Sequence, residues 1–134
     1  MKNCGTEPET RFLFRGTSDH KAAKAIFHQN FYPHLHGKNG TRYGQGAYFA
    51  RDASYSSRYS EPEGTDKTCI MFLANVIVGT YTKGKSNLRR PPTLDKDSLD
   101  LYDSCVDNVQ DPSVFVIFER DQVYPSYKIV FTKV

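Results

Sequence analysis

The stretch Gly44-Gln45-Gly46-Ala47-Tyr48-Phe49-Ala50-Arg51-Asp52-Ala53-Ser54-Tyr55-Ser56-Ser57-Arg58-Tyr59 decides how the rest of the chain is read. Gly44 and Gly46 bracket a tight backbone passage, where a missing side chain permits an unusual φ or the close approach of another group. Ala47-Tyr48-Phe49-Ala50 reads as a short buried strand. Asp52 is placed to cap a short helix on which Ser56 and Tyr59, three residues apart, share a face. One hydroxyl and two phenol rings, Tyr48 and Tyr59, thus converge beside a glycine-lined gap, a combination suited to a small planar ligand. On residue types alone, ordinary core aromatics explain Tyr48 and Tyr59 equally well. The neighbouring segments decide between the two.

Composition bounds the answer. A chain of 134 residues supports one domain with a single core. With 38% hydrophobic residues and a mean hydropathy of −0.60, that core is modest. No apolar run approaches the roughly 20 residues that span a bilayer, and no signal-peptide h-region opens the chain. A formal charge of +3 is too small to argue for nucleic acid by itself. Cys4, Cys69 and Cys105 lack metal-ligand spacing, so a reduced intracellular location, cytoplasmic or nuclear, is expected rather than a disulfide framework.

Taken in order, residues 1–10 are polar and without period, and are expected to be a disordered N-terminus. Arg11 to Gly16 alternates as a strand, with Phe12 and Phe14 on one face and Leu13 on the other. Ser18 is a candidate cap for a helix running to about Gln29. Asn30 to Tyr43 is a loop. Glu61 to Lys67 is expected as a charged turn, and Thr68 to Tyr81 as a strand that is apolar on both faces and hence central in a sheet. A long polar connection, Lys83 to Leu99, precedes three further strand candidates, Leu101–Val106, Val114–Glu119 and Tyr124–Phe131. Pro125 fits only an edge, a strand start or a bulge. Two short helices and about six strands make an α+β domain with a mainly antiparallel sheet.

Five blocks in one order carry a resemblance: Phe14-Arg15-Gly16-Thr17-Ser18; the Tyr43–Tyr59 stretch; Val78-Gly79-Thr80-Tyr81 through Arg89-Arg90-Pro91-Pro92; Leu101-Tyr102-Asp103-Ser104-Cys105-Val106-Asp107; and Pro112-Ser113-Val114-Phe115-Val116-Ile117-Phe118 with Gln122-Val123-Tyr124-Pro125. Together they resemble the diphtheria-toxin-like ADP-ribosyltransferases of the poly(ADP-ribose) polymerase family, most of all its mono-ADP-ribosylating subgroup with CCCH zinc fingers and WWE modules. The resemblance covers residues 11–134 and implies an ADP-ribosyltransferase fold with a split sheet and short helices. Family domains usually carry a further strand and helix upstream, which would be short or absent here.

The resemblance also implies roles. NAD⁺ would be the co-substrate, cleaved through an oxocarbenium-like state, and no metal is implied. Gly16 would contact the nicotinamide carboxamide through its backbone and Ser56 through its hydroxyl. Tyr59 would stack on the ring and Tyr48 would close its other side, with Thr17 and Ala50 beside them. The segment Asn30 to Tyr43 would be the loop lying over the dinucleotide. In the family's triad, Arg15 stands where histidine is usual, Tyr48 matches the tyrosine, and Val114 stands where polymerising members carry glutamate. Valine cannot polarise a growing chain, so single-unit transfer to protein acceptors, including the chain itself, is implied. Arg15 leaves three outcomes open: altered ribose or pyrophosphate bonding, a blocked pocket, or a different phosphate-bearing ligand. The second would make a catalytically silent module, a scaffold or an RNA-associated antiviral factor.

The remaining candidates have plainer readings. His34-Leu-His36 lacks other ligands at metal spacing. Asp103 and Asp107 are expected in capping and turn roles rather than as an acid/base pair. Cys105 has no histidine nearby and is expected as a buried structural thiol. Lys83, Lys85, Arg89 and Arg90 form a basic loop that is either solvated or a contact for acidic acceptors or RNA phosphates.

Overall fold

A computed structural model describes residues 8–17, 42–57, 68–97 and 99–132. The expected helix to Gln29, most of the Asn30–Tyr43 loop, the Glu61–Lys67 turn, the four histidines and Tyr59 lie outside the described residues. Seven strands form one sheet: β1 (Thr10–Thr17), β2 (Ala47–Ala50), β3 (Thr68–Ile77), β4 (Tyr81–Lys83), β5 (Ser104–Val106), β6 (Val114–Ile117) and β7 (Val123–Thr132). Helix α1 (Ala53–Ser57) follows β2, and a 3-10 turn, Arg120–Gln122, leads into β7. The strand order is β4-β5-β6-β2-β1-β3-β7. Only β4 and β5 run parallel; the other pairs are antiparallel. This agrees with the α+β, mainly antiparallel architecture read from the sequence.

Alternation along the strands sorts the apolar side chains onto two faces. The larger core gathers Leu13, Phe49, Phe72, Val76, Phe115 and Ile117 among others. The smaller, on the opposite face, joins Cys105, Val116 and Phe118 with the half-buried Tyr43, Tyr48 and Leu88. Phe115 sits at the centre of the larger core: it is fully buried and meets Tyr81 edge-on at 5.7 Å and 89°. In β1 the expected alternation holds, with Leu13 buried and Phe12 exposed.

Several boundaries differ from the sequence reading. Within the end expected to be frayed, Glu9 and Thr10 are ordered: β1 begins at Thr10, and the Glu9 carbonyl accepts from the Val78 and Gly79 amides at 3.0 and 3.1 Å, while residues 1–7 lie outside the described residues. The single strand expected over Thr68–Tyr81 is two, β3 and β4, because Gly79 takes φ +55°. That turn is fastened by Asp103, whose carboxylate accepts from the Thr80 amide and hydroxyl at 2.9 and 3.0 Å. As expected, β3 is paired on both sides, yet it lies next to the edge rather than mid-sheet. Leu101 makes an isolated bridge to Thr93, and the strand proper starts at Ser104. Pro125 lies on the edge strand β7, at the register shift opposite Leu73 and Ala74.

Two polar side chains, the buried Ser104 and the half-buried Gln122, tie these pieces together. The Ser104 hydroxyl donates to the Val78 carbonyl at 2.8 Å. The Gln122 amide donates to the carbonyls of Ile77 and Asp103, both at 2.9 Å. Emptying the core centre should be costly: Phe115→Ala is expected to lower the unfolding free energy by about 3–5 kcal/mol. Chemical denaturation of both proteins measures this, with an unchanged midpoint contradicting the assigned core.

Candidate functional site

Strand β2 brings the candidate residues together. Its entry is pressed against β6 so closely that side chains do not fit. A Cβ on Gly44, which holds φ +139°, would lie 2.8 Å from Phe118 Cζ, and one on Gly46 would lie 2.6 Å from the Ile117 carbonyl oxygen. Both glycines of the opening stretch are therefore required by close approach. The turn so formed is closed by Tyr48 itself. Its hydroxyl donates to the Gly44 carbonyl at 2.8 Å and accepts from the Tyr43 amide at 2.9 Å. Burial raises the pKa of this phenol above its usual value, against the pull of those two bonds.

Register fixes which side chains share a face. Phe14 opposes Ala50, Ala50 opposes Val114, and Tyr48 opposes Val116. Directly opposed residues point the same way, so Gly16, Tyr48, Ala50 and Val114 share one face of the sheet. Helix α1 packs on β1 and β2 and carries Ser56, whose side chain is buried. Asp52 does not cap this helix with its carboxylate, which accepts from Arg51 instead at 3.3 and 3.4 Å. Its backbone carbonyl closes the first turn onto the Tyr55 amide at 3.2 Å. Thr17 ends β1 opposite Ile70. Tyr59, the remaining expected ligand contact, is outside the described residues.

Arg15 stands apart from this group. It opposes Phe72, which places it on the face of the larger core, and its guanidinium carbon lies 5.7 Å from the Phe49 ring centroid. One guanidinium nitrogen reaches into the junction of β1 and β2 and donates to the Tyr48 carbonyl at 3.1 Å. Arg15 thus meets Tyr48 through its backbone, not its phenol. The side chain is 9% exposed, and burial lowers its pKa to about 10, which leaves it charged at neutral pH.

Val114 is buried and held in place from outside by Asp107, a role finer than the turn function expected for that residue. The Asp107 carboxylate accepts from the Ser113 hydroxyl at 2.5 Å, the Ser113 and Val114 amides at 3.0 and 3.1 Å, and the Asn108 amide at 2.9 Å. Arg51 braces the same loop through Asp111 at 2.8 Å. Sequence reasoning missed Leu88, an apolar residue in a polar connection that packs against the same small cluster as Tyr48. Its isolation among polar neighbours was the available signal. Cys105 is buried, as expected, and its thiol is pushed up to about 11 by burial. Among the described residues no group of three or more histidine, cysteine or acidic side chains could hold a metal. No helix among them is long and apolar enough to cross a membrane.

Comparison with known proteins gives this geometry its family. The family model for the poly(ADP-ribose) polymerase catalytic domain matches residues 2–133. The chain belongs to that family. It is 48% identical over 131 residues to human protein mono-ADP-ribosyltransferase PARP12, covering 98% of this chain and 18% of that protein. It is 39% identical over 141 residues to mouse protein mono-ADP-ribosyltransferase PARP11, covering 90% of this chain and 42% of that protein. Mouse protein mono-ADP-ribosyltransferase PARP10 is 39% identical over 131 residues, covering 96% of this chain and 13% of that protein. The chain therefore spans less than half the length of these curated relatives.

The Asp107 knot generates a test with a sign in pH. Burial alone would raise its pKa, but the four hydrogen bonds outweigh burial and hold it below 3.8. Its contribution is therefore full above that value and lost as pH falls through the lower, folded-state pKa. Asp107→Ala is expected to lose about 1–2 kcal/mol at neutral pH, since three backbone amides lose their acceptor. Denaturation from pH 7 downward should show the gap between the two proteins narrowing below pH 3.8. A gap that does not change with pH would contradict the knot.

Proposed function

We propose that this chain is the catalytic domain of an NAD⁺-dependent mono-ADP-ribosyltransferase that transfers single ADP-ribose units to protein side chains. The observation that carries the reading is that α1, which holds the buried Ser56, packs on β1 and β2, the strands of Gly16 and Tyr48, in a chain of this family. The chemistry of that set fits the nicotinamide end of NAD⁺. A buried hydroxyl and the backbone at a glycine can match both polar atoms of a carboxamide, which would otherwise cost about 1–3 kcal/mol each to bury unpaired. Tyr48 has its hydroxyl engaged in its own turn, so the phenol ring, not a mobile proton, is what it offers to a bound ring. Gly16, Thr17, Ala50, Ser56 and Tyr59 complete the proposed contacts, with Arg15, Tyr48 and Val114 at the triad positions.

Bound NAD⁺ supplies the labile bond between nicotinamide and ribose. When that bond breaks, its electron pair leaves with nicotinamide, and an acceptor nucleophile bonds to the freed carbon. The chain's part is to hold the leaving ring and shield the reacting carbon. Val114 brings no carboxylate to this face, so it cannot take a proton from a hydroxyl acceptor or polarise a growing chain. An acceptor already ionised at neutral pH, a carboxylate, needs no such base. Arg15 supports the alternative of a silent module, because its buried charge occupies the β1–β2 junction. Its anchoring on the Phe49 side, however, turns its charge away from the face that carries Tyr48. Protein acceptors include the chain itself, and an intracellular setting in cytoplasm or nucleus accords with two buried, unpaired cysteines.

Labelled NAD⁺ tests this directly. The unaltered chain is expected to take up single ADP-ribose units, and Ser56→Ala to reduce labelling by about tenfold through one lost hydrogen bond. Labelling of Arg15→His alone would establish the silent module instead, and a polymer ladder would sink the single-unit claim.

A further inference from the structure

The connection from β4 to β5 carries charge that the site described above leaves unused. Lys83, Lys85, Arg89 and Arg90 fall within residues 82–94, which contain no carboxylate. This one loop thus carries more positive charge than the chain's net +3. All four side chains are exposed, and among the described residues none is in an ion pair. The cations are nonetheless held on a firm backbone. The Gly84 amide donates to the Val106 carbonyl at 2.9 Å, and the Tyr102 amide to the Pro92 carbonyl at 2.9 Å. A Cβ on Gly84 would lie 1.8 Å from the Tyr43 carbonyl oxygen, so the loop is seated directly on the turn that presents Tyr48. The Gln45 amide donates to the Leu88 carbonyl at 2.7 Å, and the Gln45 side chain to the Ser86 carbonyl at 3.4 Å.

The same loop holds a groove of about 410 Å³, formed by residues 87–93 and Leu101. Its apolar parts are Leu88, Pro91, Pro92 and Leu101; Arg89 and Arg90 supply guanidinium groups. We propose that this loop is the docking surface for an acidic segment of the protein acceptor, with carboxylates on Lys83, Lys85, Arg89 and Arg90 and an apolar side chain in the groove. The inference rests on the transfer reading above for the class of partner, and it gives an ionised acceptor a way to be held near a site where Val114 supplies no carboxylate. A nucleic-acid strand fits less well. Residues 83–101 contain no aromatic side chain on which bases could stack.

The test is fluorescence anisotropy on the 134-residue chain with two labelled probes, a glutamate-rich peptide containing leucine and an oligouridine. The peptide is expected to bind, to weaken as salt is added, and to lose about tenfold or more in affinity with K85E/R89E/R90E. The milder pair R89Q/R90Q should lose part of this, and matched thermal melts show that both variants fold. No peptide binding, unchanged binding by folded variants, or tighter binding of oligouridine would overturn the proposal. Because the readout is binding, it is separable from the NAD⁺ assay. Transfer without peptide binding removes only the docking surface, and binding without transfer removes only the catalytic reading.

Discussion

Strand β2 is four residues long, yet it joins the two halves of the sheet. On one side it pairs with β6 along its whole length. On the other it meets β1 through the pair Phe14 and Ala50, beyond which the strands part. Short strands normally depend on their neighbours for stability, and here the neighbours supply three kinds of support. Glycines at its entry let β6 approach, the Tyr48 hydroxyl closes the turn before it, and α1 packs beside its end. The candidate site lies where the sheet is least continuous. Backbone groups at such a junction are not consumed by ladder hydrogen bonds, and a ligand or a side chain can take them.

Arg15 illustrates what that availability means. A buried guanidinium is expensive unless its donors are met. The junction meets the need with a backbone carbonyl that the parted strands leave reachable, and with the face of an aromatic ring, an arrangement that suits a planar, delocalised cation. A point charge such as lysine would gain less from the same surroundings. The residue that departs most from the family pattern is thus also integrated into the fold by specific contacts.

Much of this was legible beforehand, for identifiable reasons. Alternation in Arg11–Gly16, the apolar run that begins at Val114, and the glycine spacing before Tyr48 are local signals with direct physical meaning, and they located the strands and the turn. Pro125, which cannot donate to a ladder, pointed to an edge, a strand start or a bulge, and it lies on the edge strand at a register shift. Three things were not legible. The break at Gly79 depends on Asp103, which is distant in sequence. The anchoring of Val114 depends on the direction in which the Asp107 carboxylate turns. The face on which Arg15 lies depends on strand register across β1, β2 and β3, which no single segment encodes. Each miss is a long-range relation, whereas the successes were short-range ones.

The two described cysteines have a consequence of a different kind. Cys69 and Cys105 are fully enclosed, and burial keeps the Cys105 thiol protonated well above neutral pH. Thiolate character and access govern oxidation and alkylation; access is withheld from both, and thiolate character from Cys105 as well. In its described parts the folded domain is therefore indifferent to redox conditions. Peroxide, glutathione and thiol-directed electrophiles find no handle on its sheet, although opening of the β5–β6 pair would provide one. Resistance to alkylation in this chain is thus a measure of how long the sheet stays closed.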